Sequence, residues 1–302
     1  MKIAYIGSFN RLYDEDGIAK SLERLGHEVI RLEEYKITKL DLYNIFKIRP
    51  DFVLMAKLKI ALKYRNWFIS ECKKIGIKTV CWMPDLYWGT SRETKLKGKI
   101  DAIFRSDIVC SPDGGNDNKW KKIKVNHKLL RQGIYDKECY IGKHKNRNDD
   151  IVFIGCDNPI FRYRILTMQR LRQKYGDDFT WLGKQDTHQY RGQNLNNLFA
   201  SVKIVMGDSV YSPNYWSNRI YETIGRGGFL IHPNIEGLDK EFIPYKHFVP
   251  YDYDNYDSLY QKIDYYLTHN DERKKIVKAG MLYVLDNHTL INRCKQLIEY
   301  VK

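Results

Sequence analysis

Short apolar runs alternate with stretches of helical spacing along the first half of this chain. Residues 2–7 read as a buried strand closed by Gly7. Within 16–25, Ile18, Leu22 and Leu25 fall on one helical face, and Gly26 stands where a helix commonly ends. A second strand follows at 27–32, then a short helix at 40–48 stopped by Pro50. Residues 51–56 give a third strand, 61–75 a helix ended by Gly76, and 78–83 a fourth strand stopped at Pro84. Two more β-like runs lie at 100–104 and 108–111. Strands alternating with helices predict parallel βαβ units and a Rossmann-like sheet.

The stretch 140–150 breaks this rhythm with Lys143, His144, Lys145, Asn146, Arg147, Asn148, Asp149 and Asp150, a linker-like composition. The pattern then restarts. Strands are expected at 151–155, 179–182, 202–206, 229–232 and 247–250, and helices at 165–175, 195–200, 218–225, 258–268, 272–286 and 291–301. Two α/β domains are therefore predicted, 1–145 and 146–302, with the last helix free to pack back onto the first. In such sheets ligands bind beyond the carboxyl ends of the strands.

The length, 302 residues, suits two domains with real cores. Hydrophobic residues at 43% and charged residues at 29% exclude a disordered chain or a disulfide miniprotein. No apolar run reaches the ~18–20 residues of a membrane helix, and the start of the chain turns polar too soon for a signal peptide. The six cysteines show no C-x-x-C spacing and no zinc pattern, and Cys81 and Cys110 sit in strand-like runs as core thiols. A reducing, cytoplasmic setting is expected. Net charge is +14, of which +11 falls on residues 1–150 and +3 on the remainder. A basic half favours a polyanionic partner such as nucleic acid, an anionic membrane touched peripherally, or an acidic polymer; the bland alternative is a charge that keeps the chain soluble.

The richest stretch runs from Ser217 to Ile231: polar loop, helix, Gly227-Gly228 turn, buried strand. Backbone N–H groups at a helix start suit a phosphate. Arg219 would add a bidentate cation, Glu222 one turn later could accept from a ribose diol, and the paired glycines allow a sharp turn. An ordinary αβ unit with a surface Arg and Glu explains the same residues.

Beyond that point the order of residues resembles a family. Asn218-Arg219-Ile220-Tyr221-Glu222, Gly227-Gly228-Phe229-Leu230-Ile231, Glu236-Gly237-Leu238, Phe242, His247, the 259–267 helix, Arg273, Gly280, His288 and Arg293 are similar to the C-terminal part of CgeB-like glycosyltransferases. A looser match extends to Phe153-Ile154-Gly155 with Arg162 or Arg164. The resemblance implies a GT-B fold: two facing Rossmann-like domains with parallel sheets and an interdomain cleft. It also implies a nucleotide-diphosphate sugar, a UDP-sugar foremost, bound by the C-terminal domain. By motif position Glu222 would hold the ribose, and Ser217, Asn218 and Arg219 would face the diphosphate or sugar. Gly155, Arg162 or Arg164 would line the site, with Gly183 of Trp181-Leu182-Gly183 near the base and Gly227 and Gly228 beside it. Many retaining relatives carry a second Glu eight positions before Glu222; here that position is Asn214, so the stereochemistry stays open.

An inverting transfer needs a base near the acceptor hydroxyl. The N-terminal half offers Asp14, Asp16, Asp85 and Asp113, of which Asp85 and Asp16 are favoured; single loop carboxylates are more commonly caps. D-x-D patterns at 14–16 and 252–254 are too short to require a metal, and no obligatory cofactor is expected. The basic cluster Lys119, Trp120, Lys121, Lys122 and Lys124 mixes a ring with cations, as a nucleic-acid strand or other polyanion would want. The sequence thus predicts a glycosyltransferase whose acceptor is either a modified DNA base, as in phage enzymes, or a cell-surface saccharide, lipid-linked glycan or protein. The other class is a non-catalytic GT-B-like scaffold that binds nucleotide or nucleic acid.

Overall fold

A computed structural model describes residues 1–9, 14–56, 62–96, 102–157, 162–183 and 189–302. It divides into two units, Met1–Tyr135 with Leu290–Lys302, and Asp136–Thr289.

The first unit carries strands β1 (Lys2–Gly7), β2 (Glu28–Glu33), β3 (Phe52–Ala56), β4 (Lys78–Trp82), β5 (Ile108–Ser111) and β6 (His127–Leu129). Helices α1 (Asp14–Arg24), α2 (Lys39–Ile48), α3 (Leu62–Lys74) and α4 (Asp117–Lys122) connect them. The sheet is parallel, in the order β2-β1-β3-β4-β5-β6. Strand periodicity divides its side chains between two cores. Ala4, Ile6, Val53 and Met55 face α2 and α3 through Leu42, Ile45, Phe68 and Cys72. Ile3, Tyr5, Phe52 and Leu54 face the other way, onto Ile18, Ala19 and Leu22 of α1. Helix α2 is bounded as its sequence dictates. Thr38 and Asp41 form a capping box, and Arg49 closes the helix in the left-handed region just before Pro50. Two sequence expectations differ here. Within 100–104, Ala102–Arg105 is a 3-10 turn, and residues 97–101 lie outside the described residues. Strand β6 was not expected; its short His127-Lys128-Leu129 run lacks an apolar pattern and gains its ladder from β5.

The second unit carries β7 (Ile151–Ile154), β8 (Phe179–Leu182), β9 (Ile204–Met206), β10 (Leu230–Pro233) and β11 (Val249–Tyr251). Its helices are α5 (Arg162–Tyr175), α6 (Gln193–Ser201), α7 (Arg219–Gly225), α8 (Tyr256–Thr268) and α9 (Asn270–Asn287). This sheet is also parallel, ordered β11-β10-β9-β7-β8, so the chain reverses direction across the sheet between β7 and β9. One face packs Phe153, Met206, Ile231 and Val249 against α5, α8 and α9; the other packs Val152, Leu182 and Val205 against α6.

The linker-like stretch is pinned onto α6. Asn196 Nδ2 donates to the carbonyls of Glu138 (2.9 Å) and Tyr140 (2.6 Å). The N–H groups of Lys143 and Lys145 donate to Asn197 Oδ1 and Ser201 Oγ, both at 2.8 Å. Residues from 136 onward therefore belong with the second unit, where the sequence reading divides the chain near 145. The final helix, α10 (Leu290–Val301), lies in the first unit, and its Leu290, Cys294, Leu297 and Ile298 complete the core that α1 only half covers. Among the described residues no helix is long and apolar enough to cross a membrane.

Candidate functional site

The carboxyl ends of β7 and β9 meet where the second sheet reverses, the position at which open α/β sheets take ligands. A buried Asp–Arg pair of contacts occupies this edge. Asp208 lies two residues beyond β9 and is buried. Arg164 Nε donates to its Oδ2 at 2.5 Å, and Arg219 Nη1 donates to its Oδ1. Arg164 Nη1 also reaches the Cys156 carbonyl at 2.8 Å, and Arg219 Nε reaches that of Ile154 at 3.2 Å. Phe153 lies beneath both guanidiniums, 5.6 Å from Arg164 and 4.8 Å from Arg219. Burial pulls the Arg219 pKa below the ordinary arginine value; Asp208 opposes the fall and Arg164 adds to it. Among the described residues Nη2 of Arg219 makes no hydrogen bond. Gly155 is the reason this group fits: a Cβ there would stand 2.8 Å from Nη2 and 2.9 Å from the Phe153 ring.

Glu222 sits one turn along α7. Its Oε2 accepts from Arg226 Nε at 2.9 Å, and its Oε1 lies 3.3 Å from Asn218 Nδ2. Arg226 is buried and also pairs with Glu138 and Asn196. Burial lowers its pKa, but Glu222 and Glu138 more than reverse this and leave it above the ordinary value. Both carboxylate oxygens of Glu222 thus accept hydrogen bonds, and about a fifth of its side chain is exposed. Ser217 donates to the Asp208 carbonyl at 3.0 Å. Gly183 follows β8, and a Cβ there would meet nothing within 4 Å among the described residues. Gly227, at φ +75°, and Gly228 make the turn from α7 to β10, against Ile141 and Thr223. Arg162 opens α5, and its side chain lies outside the described residues. Asn214 takes φ 56° and donates its N–H to the Glu236 carbonyl at 2.8 Å, a left-handed turn that Asn adopts readily.

Much of the motif that carries the family resemblance is packing. Tyr221, Phe242, His247, Tyr283 and His288 pack ring against ring, with centroids 4.3–5.7 Å apart across four of the contacts. Gly280 lets α9 approach α7, since a Cβ would come 2.8 Å from both the His247 carbonyl and Ile224.

In the first unit, Asp16 is buried in α1 and holds Lys20 at 2.6 Å and Arg31 at 2.8 Å. A carboxylate taken up by two cations is a poor choice for a base, which corrects the expectation for Asp16. Asp85 is half-exposed beyond β4, and among the described residues it pairs with Arg92 at 3.6 Å. It follows Pro84, which lines a small apolar pocket with Asp14, Ala56, Trp82 and Gln132 at the carboxyl edge of the sheet. Trp82 Nε1 and Gln132 Oε1 are buried there without partners among the described residues. Asp113 is fully buried and holds Asn116 at 2.6 Å; burial raises its pKa. Trp120 is a second correction. It is fully buried, stacked on His127 at 4.9 Å and edge-on to Trp88, so it offers no ring to a nucleic-acid strand. Lys119, Lys121, Lys122 and Lys124 around it are exposed. Among the described residues no group of three or more His, Cys, Asp or Glu forms a metal site.

Sequence reasoning missed Asp208, His232 and Tyr253. Asp208 had a signal: it follows a buried strand and Gly207, the same pattern that marked Gly155. His232 and Tyr253 had none, because their roles depend on neighbours in other strands.

Residues 164–299 match a family model described as glycosyl transferase-like. The whole chain superposes on a glycosyltransferase from Rickettsia africae ESF-5, with TM-score 0.64, 15% identity, and 100% of this chain and 97% of that one covered. HepE from Anabaena, solved with UDP and glucose, gives TM-score 0.64 at 11% identity, covering 100% and 99%. Sucrose-phosphate synthase from Thermosynechococcus elongatus gives 0.59 at 14% identity, covering 99% and 98%. No curated protein matches the chain. The chain has the GT-B fold. The segment similar to glycosyl transferases holds Arg164, Asp208, Arg219 and Glu222, the residues that cluster at the carboxyl edge of the second sheet.

Proposed function

We propose that the enzyme transfers a sugar from a UDP-sugar to a saccharide acceptor, in the manner of the CgeB-like glycosyltransferases it resembles. One observation carries the reading: a part-buried guanidinium, Arg219, fixed by Asp208 and a backbone carbonyl, keeps Nη2 unbonded among the described residues at the sheet's reversal point. A diphosphate would accept from that nitrogen and offset the cost of burying the charge. Arg219 would then stabilise the departing UDP as negative charge builds on it. Glu222 would accept from the ribose hydroxyls on its exposed side. Gly155, Gly183, Ser217, Asn218 and Arg164 line the same edge, with Arg162 at the start of α5. UDP is favoured because HepE, of the same fold, was solved with it.

Asp85 is the better-supported base, since its carboxylate is half-exposed and follows a strand end. It would take the proton of the acceptor hydroxyl as that oxygen bonds to the anomeric carbon and the bond to UDP breaks. A saccharide is preferred to DNA because Trp120 is in the core and the lysines near it have no exposed ring to interleave with.

Titration calorimetry with UDP tests the donor side. Arg219→Lys keeps a charge but loses the fork, and is expected to weaken UDP at least tenfold, about 1.4 kcal/mol. Glu222→Gln is expected to weaken UDP more than 2′,3′-dideoxy-UDP, which keeps the diphosphate and lacks the ribose hydroxyls. Wild-type protein that binds no nucleotide diphosphate would overturn the reading.

A further inference from the structure

The second unit holds a cavity of about 740 Å³ beyond the carboxyl ends of β10 and β11, unassigned by anything above. Its walls are of two kinds. Tyr163 and Tyr211 stand edge-on to Tyr253 at 5.8 and 5.3 Å, and each keeps about half of its surface exposed, 50% and 58%. Tyr253 is held in place by its hydroxyl, which donates to the Ser209 carbonyl at 2.9 Å. Glu236, Asp239, Asp252 and Asp254 also line the cavity, with Lys240 the only cation among the described lining residues. No three of these carboxylates converge as a metal site. A ligand must therefore offer an apolar face to the tyrosines and several separated hydrogen-bond donors to the carboxylates, which only accept. A pyranose meets both demands: its axial C–H bonds make one face apolar, and its hydroxyls ring the edge.

We propose that this cavity is a saccharide site that takes neutral or amino sugars and rejects anionic ones. Four carboxylates facing one lysine leave a local charge of −3, which repels a uronate, sulfate or phosphate and welcomes an ammonium. The wall at Ser209 adjoins Asp208, the partner of Arg164 and Arg219, so the sugar site and the proposed diphosphate site share a loop. The proposal deepens the transferase reading and rests on it for the identity of the cargo. Whether the ring is the donor's or the acceptor's is decided by its dependence on nucleotide.

Saturation-transfer NMR on the full chain tests it, using methyl glucoside, galactoside and mannoside, glucosamine, and glucuronate as probes, each with and without UDP. At least one neutral glycoside or glucosamine is expected to bind tenfold or more tightly than glucuronate. Tyr211→Ala, an exposed change, is expected to weaken that binding at least fivefold. Asp252→Asn with Asp254→Asn is expected to shrink the glucuronate gap to under threefold. Binding without UDP supports an acceptor subsite, and binding only with UDP supports the donor sugar. Equal binding of glucuronate, no saccharide binding at all, or unchanged binding in Tyr211→Ala would overturn the proposal. Intact UDP binding alongside absent saccharide binding would sink this inference alone; saccharide binding without any UDP affinity would sink the nucleotide-sugar reading instead.

Discussion

His232 illustrates how single residues here are set by surroundings rather than by type. It lies fully buried on β10, with Nδ1 against the Pro233 carbonyl at 2.9 Å and Nε2 without a partner among the described residues. A Cβ on Gly207 would stand 2.5 Å from its ring, so the glycine makes the space. Burial pushes its pKa down to about 4; the Pro233 carbonyl and Asp208 oppose this and Arg219 adds to it. The unfolded chain therefore binds a proton near pH 6.5 that the folded chain refuses until about 4. Stability from this group is fully present above pH 6.5 and is lost as pH falls through that window, about 2 kcal/mol by pH 5. Urea midpoints at pH 7.5 and 5 should separate less in His232→Leu than in wild type by that amount. An equal separation would refute the assignment. Arg219 follows the same rule: its identity was legible in the sequence, but its partner Asp208 lies in the loop after β9.

At the scale of elements, α10 is the informative case. Its amphipathic pattern predicted a helix, yet not where the helix would lie. The first sheet has two apolar faces because β3 is buried throughout and β1 and β4 are buried after their first residue, and α1 alone cannot cover the face carrying Tyr5, Phe52 and Leu54. The last helix supplies the missing cover through Cys294, Leu297 and Ile298. Leu297→Ala should cost about 2–5 kcal/mol, as a cavity in a packed core does, and chemical denaturation would measure it. A cost under 1 kcal/mol would mean that α10 is peripheral to that core. The segment 140–150 errs in the opposite direction. Its polar residues read as a linker, but Asn196, Asn197 and Ser201 of α6 bond its backbone. Polar composition marks a loop equally well whether it is free or fastened.

For the whole molecule, the two units divide the charge more sharply than the two sequence halves. The first unit, with α10, carries 30 Lys and Arg against 17 Asp and Glu, a net +13; the second carries 21 against 20. The last helix adds to the excess rather than diluting it. A polyanionic saccharide such as heparin should therefore bind the protein with an affinity that falls at least tenfold between 50 and 200 mM salt, while UDP affinity falls less. Replacing Lys119, Lys121, Lys122 and Lys124 with Ala should flatten the heparin slope. Salt-independent heparin binding would remove the electrostatic argument for an acidic acceptor.

The sequence alone determined the alternation of strands and helices, the two parallel sheets and the stretch around Arg219 and Glu222. These follow from local periodicity and from turn residues such as Gly26, Gly76 and Gly227, whose conformations are fixed by near neighbours. Only the tertiary structure decided that Trp120 is core, that Asp16 is consumed by Lys20 and Arg31, that Asp208 joins two arginines, and that three tyrosines and four carboxylates enclose one cavity. Each of those outcomes rests on contacts between residues far apart in the chain. Pattern along a sequence records which face of an element is buried, but not which other element buries it.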